Sequence, residues 1–217
     1  MTTRSRSFVP ALMSALLPAL LSAADAAPVD EAVAELQRDW EVIRYQLPSS
    51  EREKRFKALA ARAHKVSESF PGHGEPLVWE GIALSSLAVE RGGFGALSLA
   101  RRAREACERA VEIDGSVLGG SAYQCLGTLY YKVPGWPIAF GDRAKARELL
   151  TKALEINPDG IDPNFFFGEF LVEDRHADEA VPYLERVLQA PPRPGRQIAD
   201  TGRKEEARAL LGRVRPP

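Results

Sequence analysis

The chain has little sulfur. Two cysteines and two methionines are all that 217 residues contain. There is no paired Cys-x-x-Cys, no His-Glu-x-x-His and no acidic calcium loop, so no metal site is expected. An excess of charge is missing too, since 29 Lys plus Arg face 30 Asp plus Glu for a formal net charge of -1. Nothing in that balance draws the chain to nucleic acid or acidic lipid. No stretch alternates Val, Ile and Thr at period two, which argues against strands. Neither a Gly-x-Ser-x-Gly elbow nor a Gly-x-x-x-x-Gly-Lys phosphate loop occurs. Gly92-Gly93-Phe94-Gly95 lacks the strand and Lys that a phosphate cradle needs, and His64, His73 and His176 share no carboxylate or Cys pattern. The expectation is therefore a non-enzyme with no catalytic residues and no cofactor.

What is there begins with an address. Arg4 and Arg6 precede an apolar run from Phe8 to Leu21, shorter than the roughly 20 residues that cross a bilayer. Small residues follow, with Ala24-Asp25-Ala26 the best cleavage triplet. A basic start, a short apolar middle and an Ala-x-Ala end describe a secretory leader over 1–26. A periplasmic or secreted protein is expected, with no stable membrane insertion once the leader is removed.

Beyond Pro28 the apolar residues recur at helical spacing. Val29, Val33, Leu36, Trp40, Ile43 and Leu47 share one stripe, and Phe56, Ala60, Ala63, Val66 and Phe70 another. Pro48, Pro71-Gly72, Gly92-Gly93, Gly115, Pro158 and Pro191-Pro192 punctuate about nine short helices. The chain also repeats itself. Gly168, Leu171, Ala180, Leu184, Val187 and Pro192 reappear as Gly127, Tyr130, Ala146, Leu150, Ala153 and Pro158, and again as Gly81, Leu84, Ala103, Cys107, Ala110 and Gly115. Two antiparallel helices pack closely only where small residues meet. Gly81, Gly127 and Gly168 are therefore expected to face Ala103, Ala146 and Ala180, and bulk there would overpack the contact.

Tyr123-x-x-Leu126-Gly127-x-x-Tyr130 and Ala146-x-x-x-Leu150-x-x-Ala153-x-x-x-x-Pro158 resemble the tetratricopeptide repeat. The resemblance implies an all-α solenoid of antiparallel helix pairs with a C-terminal capping helix. It divides the chain into a degenerate helix pair over 27–73, three repeats over 74–192 and the cap with its tail over 193–217. The last helix, about Thr201 to Arg213, would put Ala207, Leu210, Leu211 and Val214 on the stack and leave Arg203, Lys204, Glu205, Glu206 and Arg208 in water. The family pattern also implies a protein-binding surface on the first helices. Its outward slots fall at Val78, Ile82 and Ser85, at Gln124, Thr128 and Tyr131, and at Phe165, Glu169 and Val172. These are mainly apolar or neutral, which implies a protein partner offering an apolar or helical segment.

Two insertions separate paired helices, Arg91 to Leu97 and Val133 to Asp142. Each carries a Phe-Gly, as Phe94-Gly95 and Phe140-Gly141. Trp136, Ile138 and Phe140 either fold back to plug the gap between pairs or form an apolar lip. Val133-Pro134-Gly135 and Gly141-Asp142-Arg143-Ala144-Lys145-Ala146 are similar to the T component of TRAP-type transporters, an exported tetratricopeptide-like group. That resemblance implies a periplasmic solute-binding protein as partner, met in part through Trp136 and Phe140. The alternative is a small apolar solute held under the loops around Phe94 and Trp136. Cys107 and Cys125 lie symmetrically about Ser116, the centre of an expected turn between helices. They form either a disulfide or two buried thiols. No feature sets an oligomeric state.

Overall fold

The computed structural model describes residues 19–214, with side chains from residue 28 onward. The leader expected over 1–26 thus lies largely outside the described residues. Among these, nine helices follow one another: α1 (Ala19–Tyr45), α2 (Ser49–Ser69), α3 (Gly74–Arg91), α4 (Gly93–Asp114), α5 (Val117–Lys132), α6 (Arg143–Ile156), α7 (Ile161–Glu173), α8 (Ala177–Gln189) and α9 (Gln197–Val214). There is no strand among them. The described residues are all-α, a solenoid-like stack of antiparallel helix pairs in which α3 pairs with α4, α5 with α6 and α7 with α8.

The repeated small residues set how closely the pairs approach. A Cβ at Gly127 would meet Leu150 Cγ at 2.7 Å, and one at Gly168 would meet Leu184 Cγ at 2.9 Å. At Gly81 it would strike Cys107 Sγ. The glycine of each first helix therefore seats the large residue of the second helix, with the backbone of the expected Ala also close at Gly81 (Ala103 O, 3.1 Å) and Gly168 (Ala180 O, 3.6 Å). Ala103, Ala146 and Ala180 are all fully buried beside that contact. Cys107 Sγ is bonded to Cys125 Sγ, a disulfide joining α4 to α5 with Cα atoms 6.6 Å apart. Leu118, Gly119 and Gly120 have φ of 50°, 62° and 78°, so the chain turns left-handed before α5 proper begins. Two of those three positions are glycine, the residue that adopts this conformation without penalty.

The insertion at 91–97 is no loop. Gly92 breaks α3, and α4 starts at Gly93, so Phe94 stands in its first turn, 96% exposed. The insertion at 133–142 is a true loop with a fixed shape. Gly141 N donates to Pro134 O at 2.9 Å, and Asp142 N to Tyr130 O at 2.9 Å. Asp142 then caps α6 by accepting from Lys145 N. Phe140 folds back against Tyr130, ring centroids 5.5 Å apart, beneath the Arg104 guanidinium at 4.5 Å. Trp136 and Ile138 do not follow it and remain 89% and 64% exposed.

Candidate functional site

The stack curls until its ends meet. α1 packs on α3, α3 on α5, α5 on α7, α7 on α9, and α9 returns to α1. The four first helices and α9 form a closed ring around a lumen of about 580 Å³. α9 caps the last helix pair as expected, with Ala207, Leu210 and Leu211 in its core, and is also the fifth wall of that ring.

Six of the expected outward slots line the lumen: Ile82, Ser85, Gln124, Thr128, Phe165 and Glu169. Three do not. Val78 is fully buried in a cluster with Leu77, Ala110 and Ala122. Tyr131 is buried in the second core and points its hydroxyl at Glu169 Oε2, 2.5 Å away. Val172 packs partly buried against that same core. Burial pushes the Tyr131 hydroxyl well above its ordinary pKa, with the Glu169 charge adding to it. Lys132 joins Glu169 at 3.1 Å and also pairs with Glu173. Phe165 is itself nearly buried, so only its edge meets the lumen.

The rest of the wall had no expectation attached. Trp40 of α1 and Trp79 of α3 meet edge to face at 6.3 Å, and Trp40 Nε1 donates to Ser86 Oγ at 2.8 Å. Arginines dominate the closure between α9 and its neighbours. Arg203 is only 7% exposed, not solvated, with its guanidinium over Phe165 at 4.4 Å and Phe166 at 4.6 Å. It donates to Asp162 at 3.1 Å and Glu206 at 2.6 Å. Arg193 donates to Asp162 at 2.7 Å and Asp200 at 2.8 Å. Arg196 pairs with the buried Glu41, and Arg44 donates to Glu206 at 2.7 Å. The Tyr45 ring lies flush on α9 because the facing residue is Gly202. Gly202 was the available signal. It was an ambiguous one, because Gly127 meets its neighbour closely while Gly212 of the same α9 meets nothing within 4 Å.

Burial alone would raise the Asp162 carboxyl, but Arg203 and Arg193 outweigh it and hold it at about 2, below the ordinary 3.8. A carboxylate so depressed adds stability above its unfolded pKa and loses it as pH falls towards the folded value. The protein is expected to lose on the order of 2 kcal/mol as pH drops from about 4 to 2. Urea midpoints across that window should fall more steeply for the wild type than for Asp162→Asn.

A second polar cluster lies outside the lumen. Glu80, buried, accepts from Ser67 Oγ at 2.7 Å and contacts His64 Nδ1 at 2.9 Å. It stands where the repeat usually carries Leu, and it ties α2 to α3. The Ser67 hydroxyl points at the carboxylate and at His64 O rather than the imidazole, so the trio is not ordered as a Ser-His-carboxylate triad. Among the described residues no group of three or more His, Cys, Asp or Glu is placed to hold a metal ion. No helix among them is long and apolar enough to cross a membrane.

No protein-family profile and no curated protein matches the chain. Among solved structures it is similar to the crystal structure of MamA, with 18% identity and a TM-score of 0.44, over 76% of this chain and 90% of that one. That likeness is too distant to say more than its numbers. The fold class stands on the chain's own helices and their order.

Proposed function

We propose that this chain is an exported protein-interaction scaffold that meets its partner with the tip of the 133–142 loop. The observation that carries this reading is Trp136, 89% exposed on a loop that two backbone hydrogen bonds and the Phe140 anchor hold rigid. Exposed apolar side chains grouped with Ile138 mark contact surfaces, and Trp is the residue that most often dominates them. A preset loop loses little entropy on binding, which favours affinity. The first-helix slots are less suited to a protein partner, because the α1–α9 contact closes the ring across them. The partner offers an apolar or helical segment. The first candidate is the solute-binding component of a TRAP-type transporter, through the Val133-Pro134-Gly135 and Gly141-Asp142 layout. The leader and the Cys107–Cys125 disulfide favour an oxidising compartment, the periplasm or outside.

The test is binding of a purified TRAP solute-binding protein to immobilised scaffold. Replacing Trp136 and Ile138 by Ser should weaken binding at least tenfold with no change in melting. An unchanged affinity would refute the loop as the contact. Failure of the wild type to bind would remove the transporter partner.

The solute alternative fits the loops poorly. The rings of Phe94 and Trp136 stand in solvent, and the recess of about 430 Å³ at the foot of the 133–142 loop is lined more by polar than by apolar surface.

A further inference from the structure

We infer that the ring is a clamp whose opening at the α1–α9 seam controls access to the lumen, each half moving as one body about the α5–α6 pair. The inference does not rest on the loop reading. It begins with how apolar burial divides the described residues. One core takes Val29, Leu36 and Ile43 of α1, Phe56 of α2 and Leu84 of α3, and no residue of α7, α8 or α9 belongs to it. The other takes Phe170 of α7, Leu184 of α8 and Leu210 of α9, and no residue of α1 to α4 belongs to it. α5 and α6 serve both. Leu129 and Leu149 sit in the first core, Tyr131 and Leu150 in the second, and Tyr130 packs against each.

The halves meet again at the seam, and there the contacts are of another kind. Glu41, Arg44 and Tyr45 share one face of α1, at i, i+3 and i+4. Glu41 pairs with Arg196, Arg44 donates to Glu206 at 2.7 Å, and the Tyr45 hydroxyl donates to the same carboxylate at 3.3 Å. Arg196 also lies over the Trp79 ring at 5.8 Å, and the Tyr45 ring lies on the bare backbone of Gly202. Neither core spans this joint. Parting a core would expose apolar surface to water, which is unfavourable in proportion to its area. Parting the seam returns charges to water instead. A buried ion pair nets little, because its attraction is set against the hydration both partners gave up, and opening restores that hydration. The other ion pairs of the closure do not resist, since Arg193 and Arg203 join Asp162, Asp200 and Glu206 inside the second half. The seam is therefore where the ring yields first, by the hinge and shear movements that open packed bodies. Trp40 and Arg44 on one lip and Glu206 and Leu210 on the other line the lumen, so parting the lips uncovers its wall.

Spin-label distances test this. Labels at Arg38→Cys on α1 and Arg208→Cys on α9, both exposed positions, span the seam. Glu41→Gln with Arg44→Gln removes the cross-seam ion pairs, and the label separation should then grow by about 5 Å or more, one turn of helix. Gly202→Leu should do the same with every charge kept, by driving a side chain into the Tyr45 ring. Label pairs within each half should not move: Arg38→Cys with Lys57→Cys on α2, and Gln189→Cys on α8 with Arg208→Cys. If one variant unfolds, the other decides. A seam distance unchanged in the folded variants, a within-half pair that widens because one helix has peeled away, or loss of helical circular dichroism in both variants would each overturn the inference. Partner binding through Trp136 is measured separately, so the two readings can fail apart.

Discussion

Arg203→Ala will destabilise the protein by about 3–5 kcal/mol, the range seen when one member of a buried ion pair is removed. Arg203 is held by two carboxylates and stacked on two phenylalanine rings at once. Its loss leaves Asp162 paired with Arg193 alone, and Glu206 with Arg44 and the Tyr45 hydroxyl. It also strips a cation from the faces of Phe165 and Phe166, a contact that is stronger when desolvated. Urea unfolding measures the loss. Combining it with Asp162→Asn should recover part of it, because the charge stranded by the first change is then gone. A loss under about 1 kcal/mol would mean that α9 is held by packing alone. Hydrogen exchange gives a second readout. In Arg203→Ala the amides of α9 and the end of α1 should open before those of α3 to α6, since Arg203 serves the ring closure and not the repeats.

The repeats could be read from residues because each is specified locally. Gly127 with Leu150, Gly168 with Leu184 and Gly81 with Cys107 are contacts within one helix pair, and their spacing survives in the chain. The lumen slots were readable for the same reason, since Ile82, Thr128 and Glu169 recur at one register of successive first helices, and Gln124 and Phe165 at another. Ring closure was not readable. It depends on the sum of small rotations from pair to pair, and no single residue records that sum. Arg203 was misassigned as a result: with no helix expected across from α9, its charge implied solvent. Phe94 was misplaced for a local reason. Gly92 and Gly93 both have positive φ, and a Gly-Gly pair looks alike in sequence whether it opens a loop or only breaks one helix before the next. The 133–142 loop was half legible. Phe140 and Trp136 carry equally apolar rings, yet only Phe140 reaches Tyr130 and Arg104.

Gly127→Val will cost about 3 kcal/mol, at the upper end for overpacking a tight contact, and Gly168→Ala will cost no more than about 1. The two glycines hold the same register in their repeats, so the difference reflects the larger side chain together with the tighter geometry at 127. At Gly127 an added Cβ meets Leu150 Cγ at 2.7 Å and, behind it, the Leu150 backbone nitrogen at 3.2 Å. Leu150 is fully buried and the backbone of a packed helix does not yield, so α5 and α6 must separate. At Gly168 the close atoms are Leu184 Cγ and Cδ2 at 2.9 Å, and the nearest backbone atom is Ala180 O at 3.6 Å. A rotamer change of Leu184 admits a methyl group there, and alanine in a helix regains up to about 1 kcal/mol over glycine. A double-mutant cycle separates steric conflict from any general effect on α5. Leu150→Ala alone should cost about 2–5 kcal/mol, as a buried leucine does. In the Gly127→Val background it should cost clearly less, because the valine then occupies the vacated space. Additive losses would show that the two residues do not meet, and the close pairing of α5 with α6 through Gly127 would have to be abandoned.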